Sequence, residues 1–269
     1  MSGRIQLKTR EEMRVMARAG VIVQHALAAA KDAAVAGATT ADLDAAAARV
    51  IAEAGATSNF LGYHGFPATA CVSVNEEVVH GIPGDRVLAE GDLVSVDCGA
   101  IVDGWHGDSA ISFIIGEPLA KADTALVKAT ERALWAGIAA LATAERISDV
   151  SAAVEDVADE AGLHPLEGYV GHGIGTEMHM EPDVPNYRVR GRSPRVKPGM
   201  CLAIEPMLVI GTPDSAVLND EWTVVSLDGS RAAHWEHSIA VHDDGIWVLT
   251  AADGGAARLA PLGVTPVAP

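Results

Sequence analysis

Cysteine is scarce in this chain. Cys71, Cys98 and Cys201 are the only three, odd in number and widely spaced. That argues against a disulfide framework and suits a reducing compartment. None forms a CxxC pair, so a thiolate zinc site is not expected. Basic residues are few as well: 19 Lys and Arg stand against 36 Asp and Glu, a formal net charge of -17. Such a surface repels a polyanion, which argues against direct nucleic-acid binding. A long apolar run is also missing. The alanine-rich stretch from Gly20 to Ala38 is broken by Gln24, His25, Lys31 and Asp32 and cannot span a bilayer. Charges at Arg4, Lys8, Arg10, Glu11 and Glu12 argue against a signal peptide. The Gly-rich loops lack the lysine and helix start of a phosphate cradle. The expectation is a soluble, cytoplasmic protein with neither nucleic acid nor membrane as partner.

Globular composition is present, with 49% hydrophobic and 20% charged residues. Helical periodicity runs over Glu11 to Lys31 and Ala41 to Ala54, the second opening at Thr39-Thr40 and stopping at Gly55. Ala122 to Ala142 and Ser148 to Ala161 read the same way, with Gly162 as the stop. A shift of 107 positions aligns Asp42 with Asp149, Val50 with Val157, Glu53 with Glu160 and Gly55 with Gly162. β-Branched runs follow each helix pair: Val72 to Val74, Leu93 to Val96 and Ala110 to Ile115 first, then Met200 to Glu205, Trp222 to Leu227, Ser238 to Val241 and Ile246 to Leu249. Asp103-Gly104 and Asp244-Gly245 read as hairpin turns. These patterns predict an α+β fold in a single domain over residues 1–269, with similar halves at 10–118 and 119–250. The Gly/Pro/Ala-rich tail at 251–269 reads as flexible and loosely packed.

Several acidic residues occupy places where idle charge is costly. With Asp103-Gly104 as a two-residue turn, Asp97 and Asp108 share one face of the hairpin, two positions out of direct opposition. Like charges so placed repel unless something positive lies between them. Glu205 interrupts the apolar run Cys201 to Ile210, and Glu236 enters the strand around Ser238. Burying an unpaired carboxylate costs several kcal/mol, on the order of a whole salt bridge, and few lysines or arginines lie nearby. Between Gly171 and His179, three glycines surround His172 and let the backbone approach a ligand closely. Four carboxylates and one neutral imidazole balance two divalent cations. An oxygen-rich set with one imidazole suits Mn, Fe(II), Co or Zn.

The order Asp97, Asp108, His172, Glu205, Glu236 resembles the five-ligand set of the methionine aminopeptidases, whose fold is called pita-bread. Tyr63-His64-Gly65-Phe66-Pro67, His80-Gly81-Ile82-Pro83, Glu205-Pro206-Met207 and Glu221-Trp222-Thr223 extend the likeness from about Ile5 to Leu249. The resemblance implies removal of the first methionine from peptides and nascent chains, at the ribosome, preferably before a small second residue; a monomer is the default expectation. It implies that Asp97 holds one ion, Asp108 and Glu236 both, and His172 and Glu205 the other. It further implies Glu205 as proton carrier, His80 and His179 as substrate-positioning groups, and a methionine pocket of Phe60, Tyr63, Phe66, Cys71, Met178 and Trp222. Phe60 stands where the family often has cysteine, Met178 where it often has an aromatic, and Ala68 where it often has lysine. These departures bear on pocket shape. With no long extension before the catalytic region, the minimal bacterial form is expected. The alternatives are an Xaa-Pro aminopeptidase or dipeptidase, which usually carries a further N-terminal domain, and a non-catalytic binding protein of the same fold.

Overall fold

The computed structural model describes residues 4–269. Its helices begin where side chains satisfy free backbone amides. Helix α1 (Arg10–Ala33) starts at Thr9, whose hydroxyl accepts from the Glu12 amide while the Glu12 carboxylate accepts from the Thr9 amide. Thr39 and Asp42 repeat the device for α2 (Thr40–Glu53). Helices α3 (Lys121–Leu141) and α4 (Ile147–Ala161) open at Ala120 and Arg146, which bring no capping oxygen; the Asp123 and Asp149 carboxylates take those amides instead. Asp42 and Asp149, aligned by the shift of 107, therefore perform one task in corresponding places. Gly55 and Gly162, aligned by the same shift, both take left-handed backbone (φ 71° and 65°) just past α2 and α4.

The first half continues through β1 (Thr57–Ser58), β2 (Ala70–Val74), β3 (Glu77–Val79), β4 (Leu93–Val102) and β5 (Trp105–Ile114). Central to it is β4, antiparallel to β5 along one edge and to β2 and β1 along the other. Asp103 and Gly104 form its turn to β5, both with positive φ (50° and 80°), and Val102 faces Trp105 as that turn requires. Alternation then sorts the side chains. Val94, Val96, Cys98 and Ala100 pack with Val23, Leu27, Leu43 and Ile51 of α1 and α2. Ser95 and Asp97, with Asp108 and Ser112 across the ladder, occupy the other face.

The second half adds β6 (His164–Pro165), β7 (Gly171–Gly173), β8 (Met180–Val184), β9 (Cys201–Ile204), β10 (Met207–Val209), β11 (Ser215–Val217), β12 (Val224–Ser226), β13 (Ala232–His234), β14 (His237–His242) and β15 (Gly245–Val248). Five of these form a sheet in the order β15-β14-β9-β7-β8, while β10 pairs with β13 and β6. Leu126, Leu134, Ile138, Val150 and Val154 of α3 and α4 bury against Leu202, Ile204, Ile239 and Val248. The sheets are antiparallel throughout, so the α+β class read from the sequence holds.

The halves meet along β5. Glu236 and Ala110 exchange both backbone hydrogen bonds across the seam. On either side, serine hydroxyls extend the ladder. Ser238 Oγ accepts from the Asp108 amide and donates to the Asp108 carbonyl, and Ser112 Oγ does the same for His234. Ser95 Oγ bonds Ser112 Oγ at 2.7 Å behind it. A hydroxyl that both donates and accepts substitutes for a missing peptide unit, so the seam stays satisfied without a full strand pair.

Two expectations are corrected. The second hairpin turns on Asp243 and Asp244, since His242 faces Gly245 and that glycine belongs to β15. The Asp-Gly pair therefore sits one residue late for the turn assigned to it. The tail is not loosely packed. It forms helix α5 (Ala256–Leu259) and buries Leu259 in the second core. The Val267 amide donates to the Ile246 carbonyl, and the Arg14 guanidinium reaches the Pro269 carbonyl. Pro and Gly shape this tail without freeing it, because Leu259 is buried and Val264 packs against the same core.

Helix α1 also touches the second half. A Cβ added at Gly20 would lie 2.2 Å from the Leu249 carbonyl oxygen, a backbone atom that cannot step aside. Gly20→Ala is therefore expected to destabilise by about 1–3 kcal/mol, despite a helix-propensity gain of about 1 kcal/mol. Urea unfolding should show a lower midpoint at unchanged slope; an equal or higher midpoint would contradict the close approach.

Candidate metal centre

Each half delivers two carboxylates to one cavity. Asp97 projects from β4 and Asp108 from β5, two positions out of opposition as the hairpin register requires, since Asp97 faces Ala110 and Asp108 faces Gly99. Glu205 directly follows β9 and Glu236 directly precedes β14. These strands pair with Ile204 opposite His237, which sets the two glutamates side by side. His172 lies in β7, beside β9. A Cβ at Gly173 would fall 2.2 Å from the Glu181 carbonyl, so only glycine lets the backbone run this close beside the histidine.

The tautomer of His172 follows from its partner. Nδ1 is 2.9 Å from the Gly173 carbonyl oxygen, which only accepts, so Nδ1 carries the proton and Nε2 the lone pair. Nε2 stands 3.4 Å from Glu205 Oε1. Ligand atoms of Asp108, His172 and Glu236 lie within 4.8 Å of one another, and so do those of Glu205, His234 and Glu236. Glu236 belongs to both groups. Asp97 lines the same cavity outside these two tight clusters. His234 is the residue the sequence reading missed. Its signal was alternation: positions 234 and 236 fall on one side of an extended chain, so a ligand at 236 points to its neighbour two back.

Nothing cationic from the protein enters. Among the described residues no lysine or arginine lines the cavity. Asp97 Oδ1, Asp108 Oδ1, Glu236 Oε1 and His234 Nε2 are buried without hydrogen-bond partners. Burial, followed by Asp108 and Glu205, pushes the Asp97 carboxyl well above the ordinary range. Burial and then Asp108 do the same to Glu205. For Glu236 the causes are burial, Asp108, Glu205 and Asp97 in that order. Asp108 is raised to about 7 by burial, against the Ser109 amide and Asn59, which favour its ionised form. The imidazoles move the other way. Burial and His179 bring His172 down to about 3, and burial with His80 does the same for His234. Neutral imidazoles and mutually repelling carboxylates with unused oxygens are the donor set of a divalent cation. The residues fit such ions.

An apolar recess adjoins the carboxylates. Phe60, Phe66, Ala68, Cys71 and Met178 are buried together, with Tyr63 and Trp222 against them. Phe66 meets Phe60 and Trp222 edge to face, at 6.3 and 5.0 Å between centroids. All six pocket residues named from the sequence line this cavity, together with His80, His179 and Val79. Burial pushes the Cys71 thiol well up, so it acts there as a small apolar group. Tyr63 Oη is 2.8 Å from His179 Nδ1, which leaves Nε2 of that histidine for another partner. His80 sits in left-handed backbone (φ 61°), a conformation a non-glycine residue holds only when its surroundings enforce it. Burial and His179 lower it to about 4.

Known proteins resemble this chain in sequence and fold. Residues 14–243 match metallopeptidase family M24. The chain is 52% identical over 246 residues to a methionine aminopeptidase 1 of Mycobacterium tuberculosis, covering 89% of this chain and 92% of that protein. The crystal structure of a methionine aminopeptidase from Thermotoga maritima superposes with a TM-score of 0.89 at 39% identity, covering 92% and 99% of the two chains. A prolidase from Pyrococcus furiosus, 20% identical, superposes at a TM-score of 0.74 over 91% of this chain and 65% of its own, a likeness of fold. The pita-bread architecture, the matched sequence and the similarity to these relatives together place the chain in metallopeptidase family M24, on its methionine aminopeptidase branch.

Proposed function

We propose that this protein is a dinuclear metallo-aminopeptidase that removes the first methionine from peptides and newly made proteins. One observation carries the reading: four carboxylates, three of them with a buried oxygen that no hydrogen bond uses, and a neutral imidazole share a cavity with an apolar recess. The names of the relatives agree with it. Residues of both halves contribute, so the two act as one catalytic unit. Cytoplasmic action on nascent chains at the ribosome, by a monomer and preferably before a small second residue, belongs to the same proposal.

Asp97 would hold one ion, His172 and Glu205 the other, and Asp108 and Glu236 both, with Co, Mn, Fe(II) or Zn as candidates. Bound there, two divalent ions supply Lewis acidity to the scissile carbonyl and activate water for attack. Glu205 accepts the water's proton on a carboxylate oxygen and returns it to the leaving amine. With Nδ1 engaged by Tyr63, His179 offers Nε2 to the carbonyl oxygen as charge builds there. His80, fixed by its backbone, serves the scissile amide. The peptide's free amino group lies by Asp97, which limits cleavage to the first residue. The methionine thioether packs against Met178 and the ring edges of Phe60 and Phe66.

Stripping with a chelator should abolish cleavage of Met-Ala-Ser, and Mn or Co should restore it. Glu205→Gln should fold normally and lower kcat by about 10²–10⁴-fold. Cleavage that survives stripping, or preference for an Xaa-Pro peptide, would reject the reading. Phe60→Ala should open the recess and cut kcat/KM for Met-Ala-Ser by at least ~10-fold, with bulkier first residues gaining relative to methionine. An unchanged ratio would remove Phe60 from the pocket.

Proton linkage gives a further outcome. Carboxyls raised in the fold bind protons that the unfolded chain has released, so their contribution is complete below the ordinary range near pH 4. It is lost as pH rises through the folded values, about 7 for Asp108. Divalent ions must displace those protons. Calorimetry should show the melting rise on adding Mn growing between about pH 5.5 and about pH 7.5. An equal rise at both would mean the ions bind elsewhere.

A further inference from the structure

The five-ligand set leaves one donor unused. His234 is buried at the end of β13, lines the cavity, and has no hydrogen-bond partner for Nε2. Its backbone is fixed on both sides, since Ser112 Oγ accepts from its amide and donates to its carbonyl, with Ser95 behind. The imidazole is therefore presented, and not left to rotate with a mobile strand end. Glu205 turns one oxygen to each histidine: Oε1 stands 3.4 Å from His172 Nε2, and Oε2 stands 3.6 Å from His234 Nε2. Two donors on one ion, each bonded at about 2.0–2.2 Å and subtending tetrahedral to octahedral angles, are separated by about 2.8–3.6 Å. Both contacts fall within that span. At 3.6 Å the second is too long for a hydrogen bond between imidazole and carboxylate. A bare pairing of His234 with Glu205 therefore leaves Nε2 unsatisfied, and a cation beside Glu205 does not.

We infer that His234 is a sixth protein ligand of the centre, through Nε2, within the group it forms with Glu205 and Glu236. This rests on the metal-centre reading above. Its consequence concerns the metal. A second imidazole favours Fe(II), Co and Zn at this centre over Mn and Mg, which take oxygen donors more readily.

Titrating ion-free protein with Co(II) alone, and separately with Mn(II) alone, tests this without reference to activity. Replacing His234 by Gln keeps the bulk and an amide but removes the imidazole. His234→Gln should weaken the affected Co(II) affinity about 10–100-fold and alter the Co(II) visible bands. Mn(II) affinity should move less than about 3-fold. Unchanged Co(II) binding, or equal losses for both metals, would overturn the assignment, the second because it marks general disturbance. The wild-type chain gives an independent readout should the variant fold poorly. Its Co(II)-loaded proton spectrum should contain two hyperfine-shifted, exchangeable imidazole N–H signals; a single one leaves His172 as the only imidazole ligand and rejects the proposal. Wild-type protein that binds neither ion would instead reject the metal centre itself.

Discussion

Repulsion among four carboxylates in one cavity is the constraint around which this molecule is arranged. Asp97, Asp108, Glu205 and Glu236 share one enclosed space with no lysine or arginine among the residues lining it. At separations of a few ångströms and low effective dielectric, each added negative charge costs on the order of several kcal/mol. The chain relieves this while ion-free by holding protons that exposed carboxylates would release. Cations relieve it better. The same imbalance that makes the cavity costly to fold therefore makes it a fit for multivalent positive charge.

The remainder of the fold holds those charges together against their repulsion. No single hairpin could do so, because Asp97 and Asp108 face one another only diagonally and still need partners from across the molecule. The serine-mediated seam supplies the rest. By bonding Ser238 to both backbone groups of Asp108 and Ser112 to both of His234, it anchors two of the residues that line the cavity. Regular strand pairing would also connect the halves, but it would close the space that the site occupies. A seam of side-chain hydroxyls leaves the backbone groups satisfied and the cavity open.

Much of this was legible in the sequence, and the reasons are local. The Asp103-Gly104 turn fixed the register of β4 and β5, and through it the relation of Asp97 to Asp108, because a two-residue turn permits one pairing. Asp244-Gly245 misled by the same rule: two aspartates precede that glycine, and the turn uses both of them. The helix start at Thr39 was readable from capping chemistry, whereas Asp123 and Asp149 cap from inside their helices. The tail at 251–269 was misjudged because composition measures the scarcity of apolar residues, not whether the few present find a partner, as Leu259 does. His234 escaped because a histidine beside a tryptophan in a strand carries no mark of its own; only the register of β13 against β10, and a glutamate two residues on, turn it toward the cavity.

Net charge shows how composition becomes meaningful only once residues are placed. Most of the acidic excess has ordinary uses: Asp42 and Asp149 cap helices, Asp103 pairs with Arg18, and Asp244 with Arg10. Each stays where water or an arginine can answer it. The four cavity carboxylates differ in that no such answer is within reach, and two come from each half of a repeated unit. Neither half could assemble the site alone, since each brings two like charges and no compensation. An ion bound between them is then more than a reagent. Its binding free energy would be shared with the seam, because groups from both halves must be in place to hold it.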